Sequence, residues 1–283
     1  MPSRLRGARP VHVLAVTGIA AVTALALVAP SALAHNRDHG HGAVPPPPAN
    51  PTSANQIQNV DQVKTAIKAY YGDTASTVHD PVDGSTTLHF ASGTSAYAKE
   101  MAGIERDAAR YLSHAKARGH HPRAQKAILL DVDDTTLNTF SYEIYSNFVY
   151  NPTSNAAFVN SGVFPAVPGM PSLVTWANSH GYAVFYLTGR PGTQQAGTVS
   201  NLQNVGYPTV DTSKLFLKDY TSDTWLSPCA PSCSTIQYKS LTRAHIESLG
   251  YDIVANFGDQ YSDLSGGYAD NTFKLPNPMY YLP

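Results

Sequence analysis

Asp131 and Asp133 lie in the stretch Ile128-Leu129-Leu130-Asp131-Val132-Asp133-Asp134-Thr135, where an apolar run gives way to two carboxylates separated by one residue. Such a run reads as a buried parallel strand, and α/β proteins place their chemistry at the carboxyl ends of those strands. There one carboxylate can attack an electrophile while its neighbour handles a proton, provided that their surroundings differ. The plainer reading is a strand capped by turn-forming acids, because Asp is common in turns. The rest of the sequence has to choose between them.

Hydrolysis of a phosphate monoester needs an aspartate nucleophile, an acid for the leaving oxygen, a hydroxyl and a cation for the phosphoryl oxygens, and a divalent metal against charge repulsion. Asp131 suits the nucleophile and Asp133 the acid and base. Thr188, in Leu187-Thr188-Gly189-Arg190, offers a hydroxyl and a backbone N–H, and could equally cap a helix before Pro191. Gly258-Asp259-Gln260-Tyr261-Ser262-Asp263 follows the apolar run from Ile253 to Phe257. Mg²⁺ prefers oxygen ligands and takes few carboxylates. Asp131 and Asp259 would be those carboxylates, joined by the backbone carbonyl of Asp133, with Asp263 either a direct ligand or one step removed. Lys214, Lys218 and Lys239 each could supply the cation, or could be surface lysines.

These residues need elements to position them. Apolar positions at three- and four-residue spacing predict a helix from Gln56 to Tyr71, ended by Gly72, and a second from Ser95 to Arg118, ended by Gly119. After residue 126 strands and helices alternate: a strand over Ala127 to Leu130, a helix over Pro171 to His180, a strand over Ala183 to Leu187, and a helix over Thr193 to Asn204. A short strand over Leu215 to Leu217, a helix over Lys239 to Leu249 and a strand over Ile253 to Asn256 complete the series. Such βαβ alternation predicts an α/β fold with a doubly wound, Rossmann-like parallel sheet and helices on both faces. Three of the strands end in polar residues, which the carboxyl edge of the sheet would gather into one crevice. Residues 138 to 169, rich in Asn, Tyr, Phe and Pro, read as an insertion over that edge or as a long connection.

Length and composition suit one globular domain with a sizeable core, at 283 residues and 42% hydrophobic. A near-zero net charge without a basic stripe argues against a nucleic-acid partner. Arg4, Arg6 and Arg9 precede an apolar run from Val11 to Val28, followed by Pro30-Ser31-Ala32-Leu33-Ala34. The pattern predicts a signal peptide over residues 1–34, cleaved after Ala34, and a secreted protein; a membrane anchor is the alternative. Neither adjacent arginines nor a cysteine after the apolar run points to twin-arginine export or lipidation. Cleavage removes three arginines and takes the formal charge from -1 to -4. Residues 35–55, with His35, His39 and His41 before a proline run, read as a linker rather than a metal site, and the domain follows over 56–283. Cys229 and Cys233 are the only two cysteines, and in an exported chain they predict a local disulfide.

Taken together, Asp131-Val132-Asp133-Asp134-Thr135, Leu187-Thr188-Gly189-Arg190, a lysine, and Gly258-Asp259-Gln260-Tyr261-Ser262-Asp263 resemble the four motifs of the haloacid dehalogenase superfamily. More narrowly, Tyr238-Lys239-Ser240, Gly250-Tyr251-Asp252-Ile253-Val254-Ala255-Asn256 and Gly258 to Leu264 are similar to its secreted acid phosphatase branch (subfamily IIIB), which includes plant acid phosphatases, vegetative storage proteins and bacterial class C enzymes. The resemblance covers about residues 56 to 275, and the conjunction of motifs is specific. It implies a secreted phosphomonoesterase working with Mg²⁺ through an aspartyl-phosphate, with residues 138–169 as a minimal cap. It also implies that the phosphate-orienting lysine is Lys239, at a helix start where the dipole favours anions; Lys218 is the runner-up. The stretch holding Cys229 and Cys233 departs from the pattern.

Two other classes are open to a chain with these motifs. A response-regulator receiver also combines acids, a Thr and a Lys, but export and an acid beside the nucleophile argue against it. A secreted storage or binding protein on the same fold is the second, and such relatives can lose the nucleophile that this chain keeps at Asp131.

Overall fold

The computed structural model describes residues 59–117 and 124–283. The expected signal peptide, the His- and Pro-rich linker, and the ends of the first two expected helices at Gln56, Arg118 and Gly119 lie outside the described residues.

Helix α1 spans Val60–Tyr71, with Asn59 and Gln62 forming a reciprocal capping box. It ends at Gly72, whose φ of 64° is the left-handed conformation that glycine adopts without strain. A hairpin of β1 (Thr74–His79) and β2 (Thr87–Phe90) follows; β1 is polar and mostly exposed, and the apolar alternation of Leu88 and Phe90 in β2 is only four residues long. Helix α2 (Ala96–His114) starts at a Ser95 cap that accepts from Ala98 N. Then come β3 (Gln125–Leu130), α3 (Phe140–Tyr145), α4 (Pro152–Ser161), α5 (Met170–Ser179), β4 (Ala183–Pro191) and α6 (Gln195–Asn204). The chain continues through β5 (Leu215–Lys218), α7 (Thr235–Ser248), β6 (Tyr251–Gly258), α8 (Tyr261–Leu264) and β7 (Thr272–Lys274).

The larger sheet has the order β5-β4-β3-β6-β7, with every neighbour parallel. The strand earliest in sequence is therefore central, and the chain winds outwards from it in both directions. This is the doubly wound order, with its topological switch beside β3. Side chains of β3 alternate between two cores. Ile128 and Leu130 join α2 and α5 on one face, while Ala127 and Leu129 join Tyr238 and Ile246 of α7 on the other. Burial on both faces explains why this strand reads as a continuous apolar run.

Residues 138–169, expected as an insertion or a long connection, hold two helices, α3 and α4. Two expectations are corrected. The strand containing Thr188 runs on to Pro191, so Thr188 lies within β4 rather than at a helix cap. Finally, α7 begins at Thr235, because Ser234 and Gln237 form a capping box. Lys239 therefore sits in its second turn, and no helix-start dipole acts on it.

Candidate active site

Asp131 follows directly on β3, its backbone N–H donating to Phe257 O at 3.0 Å and so extending the ladder to β6. Its carboxylate is buried and takes an ion pair from Lys239 Nζ. The same ammonium lies 3.2 Å from Asp263 Oδ1 and donates to Leu187 O at 2.6 Å. One buried cation thus ties the end of β3 and the middle of β4 to α8. Carboxylate oxygens of Asp131, Asp259 and Asp263 lie within 4.8 Å of one another.

Burial pushes the Asp131 carboxyl well up, against the opposing pull of Lys239 and with added repulsion from Asp263 and Asp259. Burial and the Asp263 charge likewise raise Asp259, to about 8. For Lys239, burial alone favours the neutral amine, but Asp131 and Asp263 outweigh it and raise its pKa. Three buried carboxylates against one ammonium would, if all were ionised, carry an excess of negative charge in a desolvated place, which is why burial and repulsion raise Asp131 and Asp259. The donor set is all oxygen, so a hard divalent cation fits it.

Local backbone fixes the second acidic pair. A Cβ on Gly258 would lie 2.4 Å from Asp263 Cβ, so only glycine allows α8 to fold back onto the strand end. Gln260 N donates to Asp263 Oδ2 at 2.9 Å. Buried Arg243 of α7 donates to the carbonyls of Asp263 at 2.5 Å and Gly267 at 2.7 Å, and also to that of Ser265. Sequence reasoning assigned Arg243 nothing.

Asp133 is not one of the three clustered carboxylates and is about a third exposed. Arg190 grips it, with Nε 3.0 Å from Oδ2 and Nη2 2.6 Å from Oδ1. Arg190 was read only as part of the Thr188 motif; its position just past the expected Ala183 to Leu187 strand was the available signal. Thr188 is fully buried, and its Oγ1 accepts from Arg190 N at 3.1 Å. Asp134 turns inward at a φ of 53°, accepting from Thr139 N at 3.0 Å and Tyr280 Oη at 2.9 Å. Glu143 of α3 is buried nearby, and burial, then the Asp133 charge, raises it to about 7. The inserted helices therefore reach the same edge.

The other lysines point elsewhere. Lys214 pairs with Asp211 at 3.0 Å, and Lys218 lies over the rings of Tyr220 and Tyr238. Cys229 and Cys233 form a disulfide next to the Ser234 cap of α7. Among the described residues, no helix is long and apolar enough to cross a membrane.

Comparison with known proteins agrees with this arrangement. The chain is 36% identical over 168 residues to the stem 28 kDa glycoprotein of Glycine max, covering 57% of this chain and 61% of that one. It is 34% identical over 158 residues to acid phosphatase 1 of Solanum lycopersicum, covering 54% and 58% respectively. The chain thus spans about three fifths of the length of these curated relatives. Among solved structures, the class C acid phosphatase from Bacillus anthracis matches with a TM-score of 0.52 at 24% identity, over 65% of this chain and 80% of that one, a likeness of fold. A family model matches residues 77–283, and the chain belongs to the HAD superfamily, subfamily IIIB (acid phosphatase).

Proposed function

We infer that the protein is a secreted phosphomonoesterase acting on small phosphate monoesters through a covalent aspartyl-phosphate. The observation that carries this reading is Lys239 bridging Asp131 and Asp263, beside Asp259, at the carboxyl edge of the sheet. That arrangement joins a nucleophile, a phosphate-binding cation and a metal-binding carboxylate set within one crevice.

In the first step a carboxylate oxygen of Asp131 attacks phosphorus, and the ester P–O bond breaks. Asp133 acts as the general acid toward the departing alkoxide oxygen. Water then attacks the phosphorus of the aspartyl-phosphate while Asp133 takes a proton from it, releasing phosphate and restoring Asp131. The Thr188 hydroxyl and N–H and the Lys239 ammonium hold the phosphoryl oxygens. Asp131, Asp259, Asp263 and the Asp133 carbonyl would hold Mg²⁺, which when bound offsets the repulsion between carboxylates and phosphate. The insertion acts as a minimal cap that shapes the leaving-group side. Export rests on the amino-terminal pattern of Arg4 to Ala34.

The test is an assay of purified residues 35–283 on p-nitrophenyl phosphate with Mg²⁺ or EDTA, beside Asp131→Asn. Turnover is expected only with metal and only with Asp131; equal turnover by the variant sinks the mechanism. Some relatives carry storage-protein names, such as vegetative storage protein 1 of Arabidopsis thaliana. A purified wild type without turnover on any monoester would favour that reading.

A further inference from the structure

Residues after β7 run back across the acidic end of the site, and the function proposed above gives them no task. Leu275 N donates to Gly258 O at 2.9 Å, and its side chain is fully buried. Asn277 Nδ2 then donates to Asp259 Oδ2 at 2.7 Å, while its own Oδ1 accepts from Met279 N at 2.9 Å. Tyr280 Oη donates to Asp134 Oδ2 at 2.9 Å. Leu282 closes the run, its N–H donating to Gln260 Oε1 at 3.1 Å and its carbonyl accepting from Ser262 Oγ at 3.0 Å.

Bonding to Asp259 is lopsided. Oδ2 accepts two short amide bonds, from Gln260 Nε2 and Asn277 Nδ2, each at 2.7 Å. Among the described residues, Oδ1 meets only a longer contact from Thr135 Oγ1, at 3.3 Å. Two donors on one oxygen fix the plane of the carboxylate and leave the other oxygen available. The chemical type of the donors matters too. A lysine or arginine here would compensate the charge and compete with a cation, whereas an amide orients a carboxylate and leaves its charge in place.

We propose that residues 275–282 form a strap that aims Asp259 at a divalent cation, with Asn277 as its positioning residue. This rests on the metal-site reading above. Groups that orient a metal-bound carboxylate set affinity as well as geometry, and losing one weakens binding by about tenfold or more.

Asn277→Ser tests the strap. Serine keeps an acceptor for the turn at Met279 but is too short to reach Asp259. Calorimetric titration with Mg²⁺ is expected to show affinity about tenfold weaker than wild type, with turnover recovered at saturating Mg²⁺ and melting in EDTA little changed. The Mg²⁺-induced rise in melting temperature gives a second measure of affinity, usable on a destabilised variant. Tyr280→Phe, which touches the same strap but contacts Asp134 instead, is expected to stay near wild-type affinity. Unchanged Mg²⁺ affinity in Asn277→Ser overturns the proposal and leaves the metal-site reading standing, as does an equal loss in Tyr280→Phe. A wild-type protein that takes up no Mg²⁺ overturns both.

Discussion

Arg190 and Asp133, 57 residues apart in sequence, meet edge to edge, with Nε and Nη2 of the guanidinium on the two carboxylate oxygens at 3.0 and 2.6 Å. The fork fixes the plane of the carboxylate as well as its position. Nη1 is itself anchored to Thr198 Oγ1 at 2.9 Å, so α6 holds the arginine and the arginine holds the acid. Lysine keeps the charge but cannot reproduce the two parallel bonds. Arg190→Lys is therefore expected to lower kcat about ten- to a hundredfold with a smaller change in KM, since a proton carrier that drifts loses much of its effect. Steady-state kinetics on p-nitrophenyl phosphate check this, and an unchanged kcat would refute the orienting role.

Arg243 makes a different kind of prediction. Its three donors meet the carbonyls of Asp263, Ser265 and Gly267, stapling the turn after β6 to α7. Arg243→Met fills the volume but leaves those carbonyls without their partner. A loss of about 3 kcal/mol is expected in urea unfolding, together with weaker Mg²⁺ binding because Asp263 loses its support. Wild-type stability in the variant would show that water replaces the arginine without cost.

The contrast between these residues and the motif residues explains what the sequence could disclose. Asp131 and Asp259 were legible because each ends a buried parallel strand, and such strands announce themselves as unbroken apolar runs. Thr188 and Lys239 were legible through the conjunction of motifs. Arg190 to Asp133, Arg243 to three carbonyls and Tyr280 to Asp134 are pairings between distant segments, and no periodicity encodes them. The β1–β2 hairpin failed for another reason: β1 is polar and mostly exposed, and the alternation of Leu88 and Phe90 in β2 covers only four residues. The start of α7 was readable in Ser234-Thr235-Ile236-Gln237, a capping-box pattern that the resemblance to a lysine at the helix start obscured.

Glu143 predicts how stability changes with pH. Burial, then repulsion from Asp133, raises it from 4.5 to about 7. Between those values the folded chain holds a proton that the unfolded chain has released, so stability falls as pH rises through that window and levels off on either side. The loss from this one group is about 3 kcal/mol. Asp134, raised by burial to about 7, acts in the same direction. Glu143→Gln mimics the protonated form, so in EDTA it is expected to melt above wild type at pH 8 and near it at pH 4. Parallel melting curves across that range would remove Glu143 as a source of the slope.

Disulfide loss should separate stability from catalysis. Cys229 and Cys233 are four residues apart, and closing so small a loop restricts the unfolded chain only modestly, by about 2 kcal/mol. For a domain of this size that is a fall in Tm of about 4–8 °C. The disulfide lies just before the Ser234 cap, but Lys239 is held from other directions. Tyr238 Oη donates to Thr188 O at 2.9 Å, and Arg243 anchors the same helix to the turn after α8. The reduced protein should therefore melt earlier yet turn over substrate at a rate within about twofold of the oxidised form, well short of the losses that follow from misplacing a catalytic group. A paired Cys229→Ser and Cys233→Ser variant, assayed beside wild type with and without reductant, checks this. A tenfold drop in kcat at a temperature where the variant is folded would mean that the loop, and not the packing of α7, sets the position of Lys239.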